Sequence, residues 1–132
     1  MQDLEHARLM LQMAQKDLHA IKGMEDPEKF ENEIFGFHAQ QAIEKALKAW
    51  LSLVGVEYPR SHDLEELFSL LTTKGEDVPD PFHRLTDLTD FAVQYRYEAY
   101  DVSPTDLDRE ETCREVSQLI DHIEKLIQTC AL

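Results

Sequence analysis

A chain of 132 residues with a formal charge of −14 is long enough for one cored domain, read as spanning 1–132, and too acidic for generic DNA binding, because its field repels phosphates at long range. It holds no apolar run of roughly 18 residues, which argues against a membrane span, and its opening MQDLEHARLM lacks the basic and apolar regions of a signal peptide. Two cysteines without CxxC spacing, Cys113 and Cys130, fit a reduced cytoplasmic protein that uses them as small packing or surface residues.

Leu4, Ala7, Leu11, Ala14, Leu18 and Ile21 step by three and four, which predicts a first helix of about five turns stopping at Gly23. Met10 and Met13 flank this seam, while His6 and His19 lie off it and are expected in solvent. Asp26 before Pro27 has the form of an N-cap and first helical residue, so a second helix is expected from there to near Gly55. Its centre, FHAQQAIEKALKAWL from Phe37 to Leu51, places Ala39, Ala42, Ala46, Ala49, Ile43, Leu47 and Trp50 on one broad apolar face. A polar stripe of His38, Gln41, Lys45, Lys48 and Ser52 follows the other side, with Glu44 and Lys48 expected as an exposed i,i+4 pair. After the connection VEYPRS, Asp63 and Glu66 read as a capping pair for a short third helix ending before Gly75. Asp80 and Pro81 open a fourth helix expected to run through Phe82, Leu85, Leu88, Phe91, Ala92 and Tyr95. Ser103 before Pro104 restarts a helix whose apolar face runs from Leu107 to Ile127. No segment alternates with period two for long enough to make a strand, so the expected fold is an all-α, up-and-down bundle of about five helices.

Few motifs carry chemistry. His62-Asp63 lacks the further ligands a metal site needs, and Asp63 is accounted for as a helix cap, so no metal is expected. There is no phosphate-binding glycine motif and no nucleophile elbow, so neither a cofactor nor a covalent catalyst is expected. The polar stripe remains, with Arg60, His62 and Arg96 as neighbours. Arg96 sits between Tyr95 and Tyr97; arginine suits bidentate phosphate contact and tyrosine stacks on a base. The bland alternative is that the tyrosines pack between helices and Arg96 pairs with a carboxylate.

FHAQQAIEKALKAWL, then SHDLEELF, then YRYE, in that order and spacing, resembles the HEPN domain family over roughly Leu4 to Ile127. The resemblance implies a helical bundle, usually a homodimer, and in many members a partnership with a minimal nucleotidyltransferase in a toxin–antitoxin pair. Active members are metal-independent ribonucleases whose signature is Arg followed after four to six residues by His, the histidine acting as acid/base and the arginine stabilising charge on the phosphate. Reading on from Arg96, those positions hold Asp101, Val102 and Ser103, and no arginine in this chain has a histidine at that spacing. With no catalytic residue assigned, the expectation is a non-catalytic member that binds nucleotide, RNA or a partner protein around Arg96, Tyr97, His38, Gln41, Lys45, Lys48, Arg60 and His62. The alternatives are a ribonuclease toxin in which His38 or His62 replaces the missing histidine, and a helical adaptor with no ligand.

Overall fold

The structure, a computed structural model, describes residues 3–89 and 108–130. Asp3 starts α1, Leu4–Lys22, by accepting the His6 amide on its carboxylate at 2.9 Å, and Gly23 closes it. The seam is buried as its spacing predicts, from Ala7 through Ile21. Met10 packs against the core, but Met13 turns outward with Leu9.

The second helix, α2, covers Asn32–Leu53 and begins later than the Asp26-Pro27 signature suggests. Asp26 does organise a turn: its carboxylate accepts the Glu28 amide, and its carbonyl accepts those of Lys29 and Phe30. That turn is not continued. The Arg109 guanidinium, arriving from the far end of the sequence, takes the carbonyls of Met24 and Phe30 at 2.7 and 2.6 Å, so the connection is pinned as a loop and the helix starts afresh. Along α2, Phe35, Ala39, Ala42, Ile43, Ala46, Leu47, Ala49 and Trp50 are buried. The indole N–H of Trp50 donates to Glu76, so the one polar atom of this large side chain is satisfied.

The third helix, α3, spans Leu64–Lys74 and starts on Asp63, whose carboxylate accepts the Glu65 amide. Glu66 does not reach back to Asp63; its carboxylate accepts the Ser61 hydroxyl, and Ser61 Oγ in turn accepts the Asp63 amide. Gly75 ends α3 at φ 95°, a left-handed conformation that a side chain disfavours. A four-residue helix, α4 (Asp80–His83), passes at Arg84 into a 3-10 helix over Arg84–Thr89. The expectation of one continuous helix from Asp80 is corrected over this span: Phe82, Leu85 and Leu88 recur every three residues, which suits the three-residue turn of a 3-10 helix, and all three are buried. The continuation through Phe91, Ala92 and Tyr95, and the start at Ser103-Pro104, lie outside the described residues. The last helix, α5, spans Arg109–Cys130, with the Asp108 carboxylate accepting the Glu111 amide at its start.

Contacts between ends give the layout. The Asp3 amide donates to Ser52 O, so α1 and α2 run antiparallel. Arg109 meets Asn32 near the start of α2, and the His122 ring lies 5.1 Å from that of Trp50 near its end, so α5 runs in the same sense as α2. The 54–63 connection travels back along α2, and α3 then follows α2's direction, with His62 beside Gln40 and Glu76 beside Trp50. The result is an all-helical bundle with α2 at its centre. Among the described residues no helix is long and apolar enough to cross a membrane.

The closeness of α1 and α2 depends on small side chains: Ala7 and Ala14 on one, Ala39, Ala42, Ala46 and Ala49 on the other, all fully buried. Ala14→Leu therefore overpacks this seam and lowers stability by about 2 kcal/mol, read from the urea midpoint at unchanged slope.

Candidate functional site

The polar stripe of α2 is divided by its neighbours into two clusters. On the side facing α1, Lys45 Nζ lies 2.7 Å from Asp17 Oδ2, and His38 Nδ1 lies 3.6 Å from Asp17 Oδ1. That His38 nitrogen is buried without a hydrogen bond among the described residues. Asp17 sits on α1 between the apolar positions Ala14 and Leu18, which is why it arrives at the helix–helix boundary.

The second cluster forms on a ridge of four-residue spacing, Gln40, Glu44, Lys48 and Ser52. The expectation of an exposed Glu44–Lys48 pair is corrected here. Glu44 is only 4% exposed, because the returning connection and the start of α3 lie over it. Its carboxylate is the hub of the cluster. Oε1 accepts Gln40 Nε2 at 3.0 Å and His62 Nδ1 at 2.8 Å, and Oε2 accepts Lys48 Nζ at 2.9 Å. Gln40 also donates to the His62 carbonyl, and Gln41 Nε2 donates to Gln40 Oε1 at 2.8 Å. Burial pushes the Glu44 carboxyl up, but the bonds from Gln40, His62 and Lys48, with the Lys48 charge, outweigh it and hold the group below its ordinary value. Glu44 is thus ionised and can only accept, so Nδ1 of His62 carries the proton. The acceptor nitrogen of neutral His62 is then Nε2, on a side chain that is 45% exposed.

Further along, Lys48 Nζ lies 5.4 Å from the centre of the Tyr58 ring, and Tyr58 Oη is 2.7 Å from His6 Nε2. Burial raises the Tyr58 hydroxyl, Ser52 opposing it and the Asp3 and Glu44 charges adding to it, so the phenol keeps its proton in this hydrogen bond with His6. His6, expected in solvent, is half-buried for this reason. A groove of about 640 Å³ opens here, bounded by Asp3, His6, Ser52, Gly55, Val56, Glu57 and Tyr58.

The eight residues singled out from the sequence are therefore placed as follows. Lys45 and His38 meet at Asp17; Lys48, Gln41 and His62 join through Gln40 and Glu44. Arg60 is exposed and makes no ion pair among the described residues. Arg96 and Tyr97 lie outside the described residues. Asp17, Gln40, Glu44, Tyr58 and His6 are the site residues that sequence reasoning missed. The four-residue spacing from Gln40 to Ser52 was the available sign, but it needed the connection over it to become a site. Among the described residues no group of three or more His, Cys, Asp or Glu side chains could hold a metal ion.

The HEPN domain family model matches residues 7–131. The chain belongs to the HEPN family. No curated protein and no solved structure matches it. The match takes in α2 with its ridge, the connection, α3 and the Arg96 segment. In this HEPN domain the lysines of α2 are matched to internal carboxylates rather than offered bare along one wall. What the arrangement can do chemically is hold one imidazole in a fixed tautomer and keep two ammonium groups in fixed places.

Proposed function

We propose that this HEPN protein is a non-catalytic binding module that forms a homodimer, partners a minimal nucleotidyltransferase in a toxin–antitoxin-like pair, and takes a nucleotide, an RNA end or a partner segment beside Arg96. The observation that carries this reading is the sequence after Arg96, where Asp101, Val102 and Ser103 occupy every position at which an active member of the family keeps its histidine. The mutual pairing of Asp17 with Lys45 and of Glu44 with Lys48 supports it, since these groups are arranged to hold shape. Leu9 and Met13, one turn apart and exposed on α1, are suited to a helix-on-helix contact with a second copy. Fluorescence anisotropy with a labelled RNA oligonucleotide tests the reading. Wild type binds without cleaving, and Arg96→Ala weakens binding by about tenfold or more.

One observation favours a second reading, a ribonuclease with a displaced acid/base. The buried Glu44 carboxylate fixes the tautomer of a half-exposed His62, as a positioned carboxylate does for a general base. In that case wild type cleaves the oligonucleotide, and cleavage is lost in both Arg96→Ala and His62→Ala.

A further inference from the structure

The connection from α2 to α3 has an unusual construction. It leaves α2 through Gly55, whose φ of 80° places it in the left-handed region. The Gly55 and Val56 amides donate back to Ser52 O and Leu51 O, so the exit is fixed locally. At the other end Ser61 Oγ accepts the Asp63 amide and donates to Glu66, and Asp63 caps α3. Between these two anchored ends Val56 and the Tyr58 ring pack against the core, and polar side-chain contacts hold down the rest. Tyr58 bonds His6 and lies against Lys48; His62 bonds Glu44 and gives its carbonyl to Gln40.

Apart from Val56 and the Tyr58 ring, which pack against the core, both surfaces of this contact are polar. A cover meant to be permanent would be better made with apolar groups, since a buried ion pair replaced by packed hydrophobic residues is often neutral or stabilising. A mainly polar seal has a different property: when it parts, Gln40, Glu44 and Lys48 pass into water and the apolar cover lost is that of Val56 and Tyr58, so parting costs less than unfolding the helices.

We propose that residues 56–62 are a strap hinged at Gly55, which lifts from α2 as a unit while the helices remain packed, and so controls access to Glu44 and Lys48. Closed, it shields that pair; lifted, it presents a carboxylate and an ammonium to whatever polar group approaches α2. The motion is intrinsic to the chain and does not depend on the identity of any ligand.

Two readouts on the full chain follow the strap without a ligand. One is tryptic cutting at Arg60–Ser61, since Arg60 is exposed on the strap; the other is acylation of Lys48, whose side chain is only 12% exposed beneath it. Lys45, paired with Asp17 on the α1 side and away from the strap, is the control for effects that do not pass through the strap. Without denaturant, and with the helical circular dichroism intact, both reactions proceed at Lys48 and Arg60 with little dependence on urea. His62→Ala, and Tyr58→Phe as a milder variant, each speed both reactions about fivefold to tenfold, the effect of removing one hydrogen bond from a local opening step, while Lys45 labelling stays at the wild-type rate. The proposal is overturned if Lys48 labelling in the wild type follows the steep urea dependence of global unfolding read by circular dichroism. It is equally overturned if neither variant changes the rate at Lys48 or Arg60.

Discussion

Arg109→Ala lowers the stability of the fold by about 3 kcal/mol, measured by urea unfolding followed by circular dichroism. The Arg109 residue is 7% exposed, and its guanidinium donates to four oxygens: Met24 O at 2.7 Å, Asp26 O at 3.4 Å, Phe30 O at 2.6 Å and Asn32 Oδ1 at 2.9 Å. It also lies 5.1 Å from the centre of the Phe35 ring. Burial lowers its affinity for the proton and the Asp26 charge opposes that shift, but a guanidinium stays charged throughout the accessible range. Truncation leaves the Met24 and Phe30 carbonyls without this donor and removes the planar group that spans them. Arg109→Lys recovers little, because a single ammonium cannot reach both sides of the turn at once. The damage is local in origin, so proteolysis between Gly23 and Asn32 quickens before the helices melt.

Glu44→Ala costs about 4 kcal/mol, because it strands the Lys48 ammonium, the His62 N–H and the Gln40 amide that converge on one buried carboxylate. Glu44→Gln keeps the volume and one acceptor oxygen and loses less. The pH dependence has a definite sign. The folded carboxyl binds its proton more weakly than the ordinary value of 4.5, so at acid pH the unfolded chain takes up more protons at this residue than the folded one. The stability that Glu44 contributes is complete above that ordinary value and is lost as the pH falls through the lower value of the folded state. Urea midpoints taken from about pH 2.5 to about pH 7 show this acid limb in the wild type and a shallower one in Glu44→Gln.

Local patterns carried much of the fold. The α1 seam, the alanine-rich face of α2, the Asp63 cap and the Gly75 stop all depend on residues within one or two turns of one another, and each is found where its spacing puts it. Three of the misreadings share a physical cause, which is contact across long stretches of chain. Arg109 reaches Met24 from 85 residues away, and nothing near Asp26-Pro27 reveals that its turn will be pinned from there. Glu44 looks like the outer half of a surface pair until the 54–63 segment is laid over it. His6 leaves solvent for Tyr58, 52 residues on. The family could be read because the α2 motif, the His62-Asp63 block and the Arg96 block keep their order. The composition of the cluster around Glu44 could not, because its α2 residues are joined by His62 from the strap.

Two of the 13 lysines and arginines, Lys45 and Lys48, are cancelled by Asp17 and Glu44 inside the bundle. Neither pair relieves the surrounding excess, so an approaching molecule meets the field of 14 net negative charges. A polyanion feels that repulsion mainly within about 8 Å at physiological ionic strength, because salt screens it at greater separations. Added salt therefore speeds the first encounter with RNA, the reverse of its usual effect on proteins that present bare lysines to nucleic acid. A basic protein surface is drawn in from the same distance. Net charge alone therefore favours first encounters with cationic surfaces over those with nucleic acid.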